Sequence, residues 1–425
     1  MKILKLSGGK PLLGEVSISG ARNSAYKLIA ASLFVNSDVY LSNVPRIENL
    51  NKELQILKSL GGEFEWLGNN YLKINNSKLS KFEISEELGK DLFTTYLFAG
   101  PLLYRFGEAV LPLPEGGINK IEKFLHTWSA LNFEINYDDK FVYLKSDNSS
   151  PSSIDIPNAS HLATDNAILS SIFLNGTSTL INICENIEVK DLIDFCNLIG
   201  GSIEYENKKV IKINGQRHFK SADFQIVSDL GETLFFSLLA IVTKGNVIIK
   251  NIDKSNLSFL ISFLTKIEAS FDFTSNEELR VWNKSTELPA FSVAATSYPG
   301  IISDFIPMLS AFALFCEGES TLNDRSYKNK FEFLYRLAKH TSKIKVFEGL
   351  KDLEPCQIVV NGAAHEFGSF KIETKSMDSL LPLIILGLGF SNELEVLSDY
   401  DVNNIFENLI EKVVKLGGNI SYESN

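Results

Sequence analysis

The sequence predicts an α/β protein built from about six copies of one unit that joins helices to short strands. Three observations carry this: a recurring helix-ending signal, a strand signal that precedes it, and helices that are apolar on every side.

The helix-ending signal is Leu60-Gly61-Gly62-Glu63-Phe64. It returns as Leu131-Asn132-Phe133-Glu134-Ile135, Ile199-Gly200-Gly201-Ser202-Ile203, Ile267-Glu268-Ala269-Ser270-Phe271 and Leu416-Gly417-Gly418-Asn419-Ile420, with a weaker copy near Ser342-Lys343-Ile344. The copies stand roughly 65–75 residues apart, longer than the ~20–50 of solenoid repeats. Leu54, Leu57 and Leu60 recur at helical spacing, and Gly61-Gly62 stops the helix. Phe64 and Trp66, then Tyr71, Leu72 and Ile74, read as paired strands turned at Gly68-Asn69-Asn70. In the last copy Ile405, Leu409, Val413 and Leu416 repeat the helical spacing.

The strand signal is a short β run after a small or polar turn. It is seen at Gly176 to Ile183, Gly245 to Ile252, Gly318 to Leu322 and Glu393 to Leu397. Upstream lie the apolar stretches Ala30 to Leu33, Ala167 to Phe173, Leu234 to Val242 and Met308 to Phe315, which should be buried on all sides. Each unit therefore reads strand, buried helix, strand, outer helix, strand pair.

A chain of 425 residues exceeds one compact core, so two domains are expected. Net charge −11 argues against a nucleic-acid binder. It leaves anionic small substrates open, because a basic pocket can sit in an acidic protein. Cys184, Cys196, Cys316 and Cys356 show neither metal spacing nor a disulfide framework, so no metal and a cytoplasmic location are expected. Met1 to Leu6 runs into Gly8-Gly9 without a signal-peptide core. Leu234 to Val242 and Leu380 to Leu388 fall short of the ~18–20 residues of a membrane span.

Motifs run the length of the chain: Ser17-Ile18-Ser19-Gly20-Ala21-Arg22-Asn23-Ser24-Ala25, Asn43-Val44-Pro45, Gly100-Pro101-Leu102-Leu103 with Arg105-Phe106-Gly107, Ala163-Thr164-Asp165-Asn166, Asp229 with Glu232-Thr233, Ser303-Asp304, and Tyr327-Lys328-Asn329-Lys330-Phe331. In this order they resemble the enolpyruvyl transferase family, its UDP-sugar branch more than its shikimate branch.

The resemblance implies a two-domain inside-out α/β barrel of six repeated units, with buried helices and outer sheets. One domain would be residues 19–230 and the other 1–18 with 231–425, the chain crossing near Ser19 and Leu230. Substrates would lie between them, where helix N-termini suit phosphates. The implied reaction moves the enolpyruvyl group of phosphoenolpyruvate to UDP-N-acetylglucosamine in peptidoglycan precursor synthesis, with no cofactor. It needs a base for the acceptor hydroxyl, an acid for the enol methylene, and cations for a phosphate and a carboxylate.

The resemblance assigns the base to Asp304, beside Ser303 in the substrate site; the plain reading of Ser303-Asp304 is a helix N-cap. Arg22 and Asn23 match a turn that contacts both substrates. The family has Lys at the first, and Arg replaces a point donor with a planar fork. Lys330 matches a phosphate-binding Arg, and is equally a helix-surface Lys. Ser160, Thr164, Asp229, Glu232 and Tyr327 match nucleotide-sugar and hinge positions, Ser160 and Thr164 being equally helix caps. Glu188 matches an acidic position, and is equally a solvated helix start.

The sequence departs from the family at its chemistry. The mobile loop that carries a Cys acid (Asp in some members) and an Arg reads here Leu113-Pro114-Glu115-Gly116-Gly117-Ile118-Asn119-Lys120-Ile121-Glu122. The Cys is absent, Glu115 is the carboxyl on offer, and the Arg position falls on Ile121 or, with a shifted gap, on Lys120 or Lys123. Other family cations fall on Phe93, Glu48, Lys375-Ser376-Met377 and Asn403 or Asn404. Three readings follow: a diverged UDP-N-acetylglucosamine enzyme, an enolpyruvyl transferase with another acceptor, and a catalytically silent homologue that binds a ligand or partner.

Overall fold

The structure, a computed structural model, describes residues 1–283, 287–324, 331–338, 344–347, 356–362 and 368–423. The chain forms two compact units: Met1–Ser19 with Ser228–Asn425, and Gly20–Val227.

Twelve helices position the site: α1 (Arg22–Ser32), α2 (Glu48–Ser59), α3 (Ala99–Phe106), α4 (Glu122–Ala130), α5 (His161–Ser171), α6 (Ile187–Leu198), α7 (Leu230–Val242), α8 (Ser258–Lys266), α9 (Ile306–Phe312), α10 (Glu332–Leu337), α11 (Leu380–Gly389) and α12 (Leu409–Lys415). The odd-numbered helices are the more deeply buried ones. In α7 every residue but Gly231 is buried, and α9 is buried throughout. The even-numbered helices bury one face, as in α2, where Leu50, Glu53, Leu54, Ile56 and Leu57 turn inward.

Among the described residues the strands form six open sheets, three in each unit. One sheet of Gly20–Val227 shows the common plan. Val210–Asn214 lies between Ser202–Asn207 and Thr177–Ile181, all antiparallel, and Ser153–Asp155 adds a parallel edge. The parallel edge strand then leads into a buried helix, here α5. The α/β class and the buried helices of the sequence reading are thus both present. No described helix is long and apolar enough to cross a membrane.

The helix-ending signal has one physical cause. After α2, Gly61 takes φ +101° and Gly62 N–H donates to Leu57 O at 3.0 Å, satisfying an end carbonyl. A Cβ on Gly62 would stand 2.8 Å from Leu57 Cγ, so in this copy a side chain there would have to displace Leu57. The same back-bond recurs from Phe133 to Trp128, Gly201 to Cys196, Ala269 to Leu264 and Gly418 to Val413. Asn132 and Glu268 take the left-handed position where glycine is absent. The copy at Ser342-Lys343 lies outside the described residues.

The strand signal also has a cause. Asn43, Asn182 and Asn251 each follow a strand with φ of 57–58°. Their side-chain amides donate to Ile226 O, Ile156 O and Ile18 O at 3.0, 3.0 and 2.6 Å. Each asparagine thereby ties a strand to the parallel neighbour that feeds a buried helix.

Candidate active site

In Gly20–Val227 the starts of α1, α5 and α6 converge. Ala21 N–H donates to Val227 O at 2.8 Å, and Val227 N–H donates to Asp191 Oδ2, in the first turns of α6, at 2.9 Å. Thr164, in the first turn of α5, accepts at Oγ1 from the N–H of Cys184, just before α6, at 3.0 Å. Arg22 and Asn23 open α1, Ser160 precedes α5, and Glu188 opens α6, so these predicted residues share one end of the unit, all half-buried. Unpaired N–H groups and aligned dipoles make such an end attractive to anions.

Some matched residues have structural work. Thr164 is fully buried, and its hydroxyl also donates to Ser160 O at 2.9 Å. Arg105 of the Arg-Phe-Gly motif donates to Leu33 O, Asn36 Oδ1 and Asn76 O at 3.2, 3.0 and 3.1 Å, closing the C-terminal end of α1. Beneath the α1 start lie groups that sequence reading passed over. Lys27 Nζ stands 2.7 Å from Asp165 Oδ2, with both side chains buried. Burial pushes Asp191 up to about 6, against the pull of the Val227 N–H, Ser24 and Lys27. Glu53 of α2 is fully buried, bonded to Thr94, and pushed up to about 7 by desolvation. The available signal was a charged residue inside an apolar helix, Lys27 in α1 being the plainest case.

The loop after Pro112 turns on two glycines, Gly116 at φ +94° and Gly117 at φ +71°. Gly117 N–H donates to Pro114 O at 2.9 Å, and Lys120 N–H to Gly117 O at 3.1 Å. Glu115 and Lys120 are exposed, and the Lys120 stem lies over Gly116, where a Cβ would meet its Cε at 2.8 Å. Ile121 is fully buried. Lys123 is half-buried, its Nζ 5.8 Å from the Phe93 ring centre and 5.2 Å from that of Phe124, and burial lowers its pKa.

In the other unit Asp229 caps α7, its Oδ1 accepting from Glu232 N–H at 3.0 Å. Glu232 is fully buried. It accepts from Ser19 N–H at 2.8 Å and from Lys412 Nζ at 2.5 Å, and Lys412 also donates to Ser19 Oγ at 2.7 Å. Desolvation outweighs Lys412 and pushes Glu232 up to about 7. Asp304 is exposed in the short turn Ser303–Phe305 that leads into α9, and Phe305 packs near Gly231 at the start of α7. Ser303 Oγ donates to the buried Asp324 Oδ2 at 2.6 Å. This unit thus brings Asp229, Ser303 and Asp304 to neighbouring helix starts, and turns Glu232 inward. Tyr327 and Lys330 lie outside the described residues. No group of three or more His, Cys, Asp or Glu is placed to hold a metal among the described residues.

The pattern of the EPSP synthase (3-phosphoshikimate 1-carboxyvinyltransferase) family matches residues 6–413. The chain is 27% identical over 423 residues to UDP-N-acetylglucosamine 1-carboxyvinyltransferase 3 of Caldanaerobacter subterraneus subsp. tengcongensis, covering 99% of each chain. It is 28% identical over 417 residues to UDP-N-acetylglucosamine 1-carboxyvinyltransferase 1 of Carboxydothermus hydrogenoformans, covering 97% of this chain and 96% of that one. Its fold is similar to the enolpyruvyl transferase NikO from Streptomyces tendae, with TM-score 0.88 and 19% identity over 100% of this chain and 99% of that one. It is also similar to the EPSP synthase of Acinetobacter baumannii, with TM-score 0.76 and 14% identity over the whole of both chains.

Proposed function

Because this chain belongs to the EPSP synthase (3-phosphoshikimate 1-carboxyvinyltransferase) family, we propose that it transfers the enolpyruvyl group of phosphoenolpyruvate to a hydroxyl of UDP-N-acetylglucosamine. The observation that carries the reading is a family match spanning nearly the whole chain, with full-length relatives that bear this activity in their names.

Asp304, exposed at the start of α9, takes the proton of the acceptor hydroxyl as its oxygen bonds to C2 of phosphoenolpyruvate. C3 gains a proton in the same stage, and Glu115 is the carboxyl that the loop offers for it. Loss of a C3 proton then re-forms the double bond, breaks the C2–O bond to phosphorus and releases phosphate. Arg22, at the start of α1, holds negative charge through a planar fork. Asn23, Ser160 and Glu188, at the same end of their unit, are proposed acceptor contacts.

The absent loop Cys and the apolar Phe93 favour a second reading, a silent homologue that binds its ligand without turnover. Phosphate release from phosphoenolpyruvate and UDP-N-acetylglucosamine separates the two. Release is expected, and Asp304→Ala should reduce it by about 10²–10⁴-fold, the usual worth of a general base. A folded wild type that releases none sinks the transferase reading.

A further inference from the structure

We propose that Asp191 is a positioning residue of the candidate site: through Val227, its carboxylate fixes the start of α1 and so the place from which Arg22 and Asn23 act. That they act in enolpyruvyl transfer rests on the transferase reading above; the tie from Asp191 to α1 does not.

The start of α1 has neither a side-chain cap at Ala21 nor an acidic residue in its first turn. It is held from elsewhere in the chain. The Ala21 N–H donates to Val227 O at 2.8 Å, and the Val227 N–H donates to Asp191 Oδ2 at 2.9 Å. One residue earlier, the Ile226 N–H donates to Ser42 O at 3.0 Å and Asn43 Nδ2 donates to Ile226 O at 3.0 Å, which sets this segment against the strand Asp38–Ser42. Asp191 supplies the anchor at Val227 itself, the residue that carries the bond to α1.

A carboxylate is a demanding choice for that anchor. Asp191 is buried, and desolvation pushes its pKa up to about 6, with Asp194 adding to the rise. A neutral acceptor would hold an N–H without that penalty. A charge-assisted bond is roughly twice as strong as a neutral one, so it resists displacement better. Ser24 and Lys27, both on α1, also favour the ionised form, so the carboxylate acts on the helix directly as well as through Val227. Stiffness of this kind matters where a shift of ~1 Å in a positioned group can cost about 10²-fold in rate.

The test is amide hydrogen exchange at Ala21, read by NMR on the intact chain at about pH 7.5, where Asp191 is ionised. Asp191→Leu removes the acceptor and should speed that exchange by about 10–100-fold, the worth of one charge-assisted bond. Asp191→Asn keeps an oxygen there without the charge and should speed it less, by about 3–10-fold; should Asp191→Leu fail to fold, this variant carries the test. Phosphate release should fall in the same order, most in Asp191→Leu and less in Asp191→Asn. Asp194→Ala is the control, since Asp194 lies on the same helix and pairs with Lys190 at 2.5 Å; no change is expected there. Unchanged Ala21 exchange in the folded Asp191 variants, or an equal rise in Asp194→Ala, overturns the proposal. Faster exchange with undiminished phosphate release overturns it too, while leaving the transferase reading intact. Faster exchange in variants of a wild type that releases no phosphate supports the tie and sinks the transferase reading instead.

Discussion

Each unit buries an ion pair, and the two are built differently. In Gly20–Val227, Lys27 and Asp165 approach to 2.7 Å without a well-directed hydrogen bond at Nζ or at either carboxylate oxygen. In the other unit Glu232 has both oxygens engaged, one by Lys412 and one by the Ser19 N–H, and Lys412 adds the Ser19 hydroxyl. The first pair neutralises charge beneath the α1 start, where Lys27 also pulls on Asp191 and His161 Nδ1 stands 3.9 Å from Asp165 Oδ2. The second grips backbone where the chain passes from one unit to the other. Buried charge therefore does not have one meaning here: a pair held by charge alone can be replaced by apolar groups, whereas a pair that also satisfies backbone cannot.

The largest effect expected is from breaking the first pair one-sidedly. Lys27→Met leaves the buried Asp165 carboxyl without its cation and should cost about 3–5 kcal/mol in urea unfolding. The comparison sharpens with paired replacement. Lys27→Met with Asp165→Leu should recover nearly all of that loss. Glu232→Leu with Lys412→Met should remain about 1–3 kcal/mol below wild type, because Ser19 keeps a buried donor without an acceptor. Equal recovery in both units would break the distinction.

Acidity gives a smaller effect. Burial raises Glu232 to about 7 and Asp191 to about 6, so the folded chain holds these protons more tightly than the unfolded chain. The stability each contributes is complete below the ordinary carboxylate range and is lost as pH rises through those values. The difference in stability between wild type and Glu232→Gln should therefore change between pH 5 and 8, by on the order of 1–3 kcal/mol, with wild type losing ground as pH rises. A flat difference would show that Glu232 stays ionised throughout. The smallest effect tests what the units share. Asn182→Ala and Asn251→Ala, one in each unit, should each cost about 1–2 kcal/mol through a lost amide bond and a strained left-handed residue. A large disparity would mean that the repeated turn is not equivalent in the two units.

The repeat was legible because its signals are local: a glycine pair ends a helix within the window that reveals the helix. The family motifs were legible for a related reason, since Ser17 to Ala25 or Ser303-Asp304 are contiguous. What each motif residue does was less so. Thr164 reads as a ligand or a cap, and only its bonds to Ser160 and Cys184 show its structural use. Glu232 and Lys412 lie 180 residues apart in the chain, and no periodicity relates them. The loop could be aligned three ways, with Ile121, Lys120 or Lys123 in place of the family Arg, because a gap in a turn leaves no hydrophobic register to fix it.

The strand Lys2–Ser7 pairs with Glu393–Ser398 on one side and Asn419–Tyr422 on the other. On a ribosome it emerges long before its neighbours, Glu393–Ser398 and Asn419–Tyr422, are made. Gly20–Val227 has all its sheets by then, since its latest strand is Asp223–Gln225. Synthesis thus completes one unit while the opening strands of the other wait through several hundred residues with unpaired edges. The charged residues on those strands, Lys2 and Lys5 among them, are suited to keeping such edges soluble in the interval.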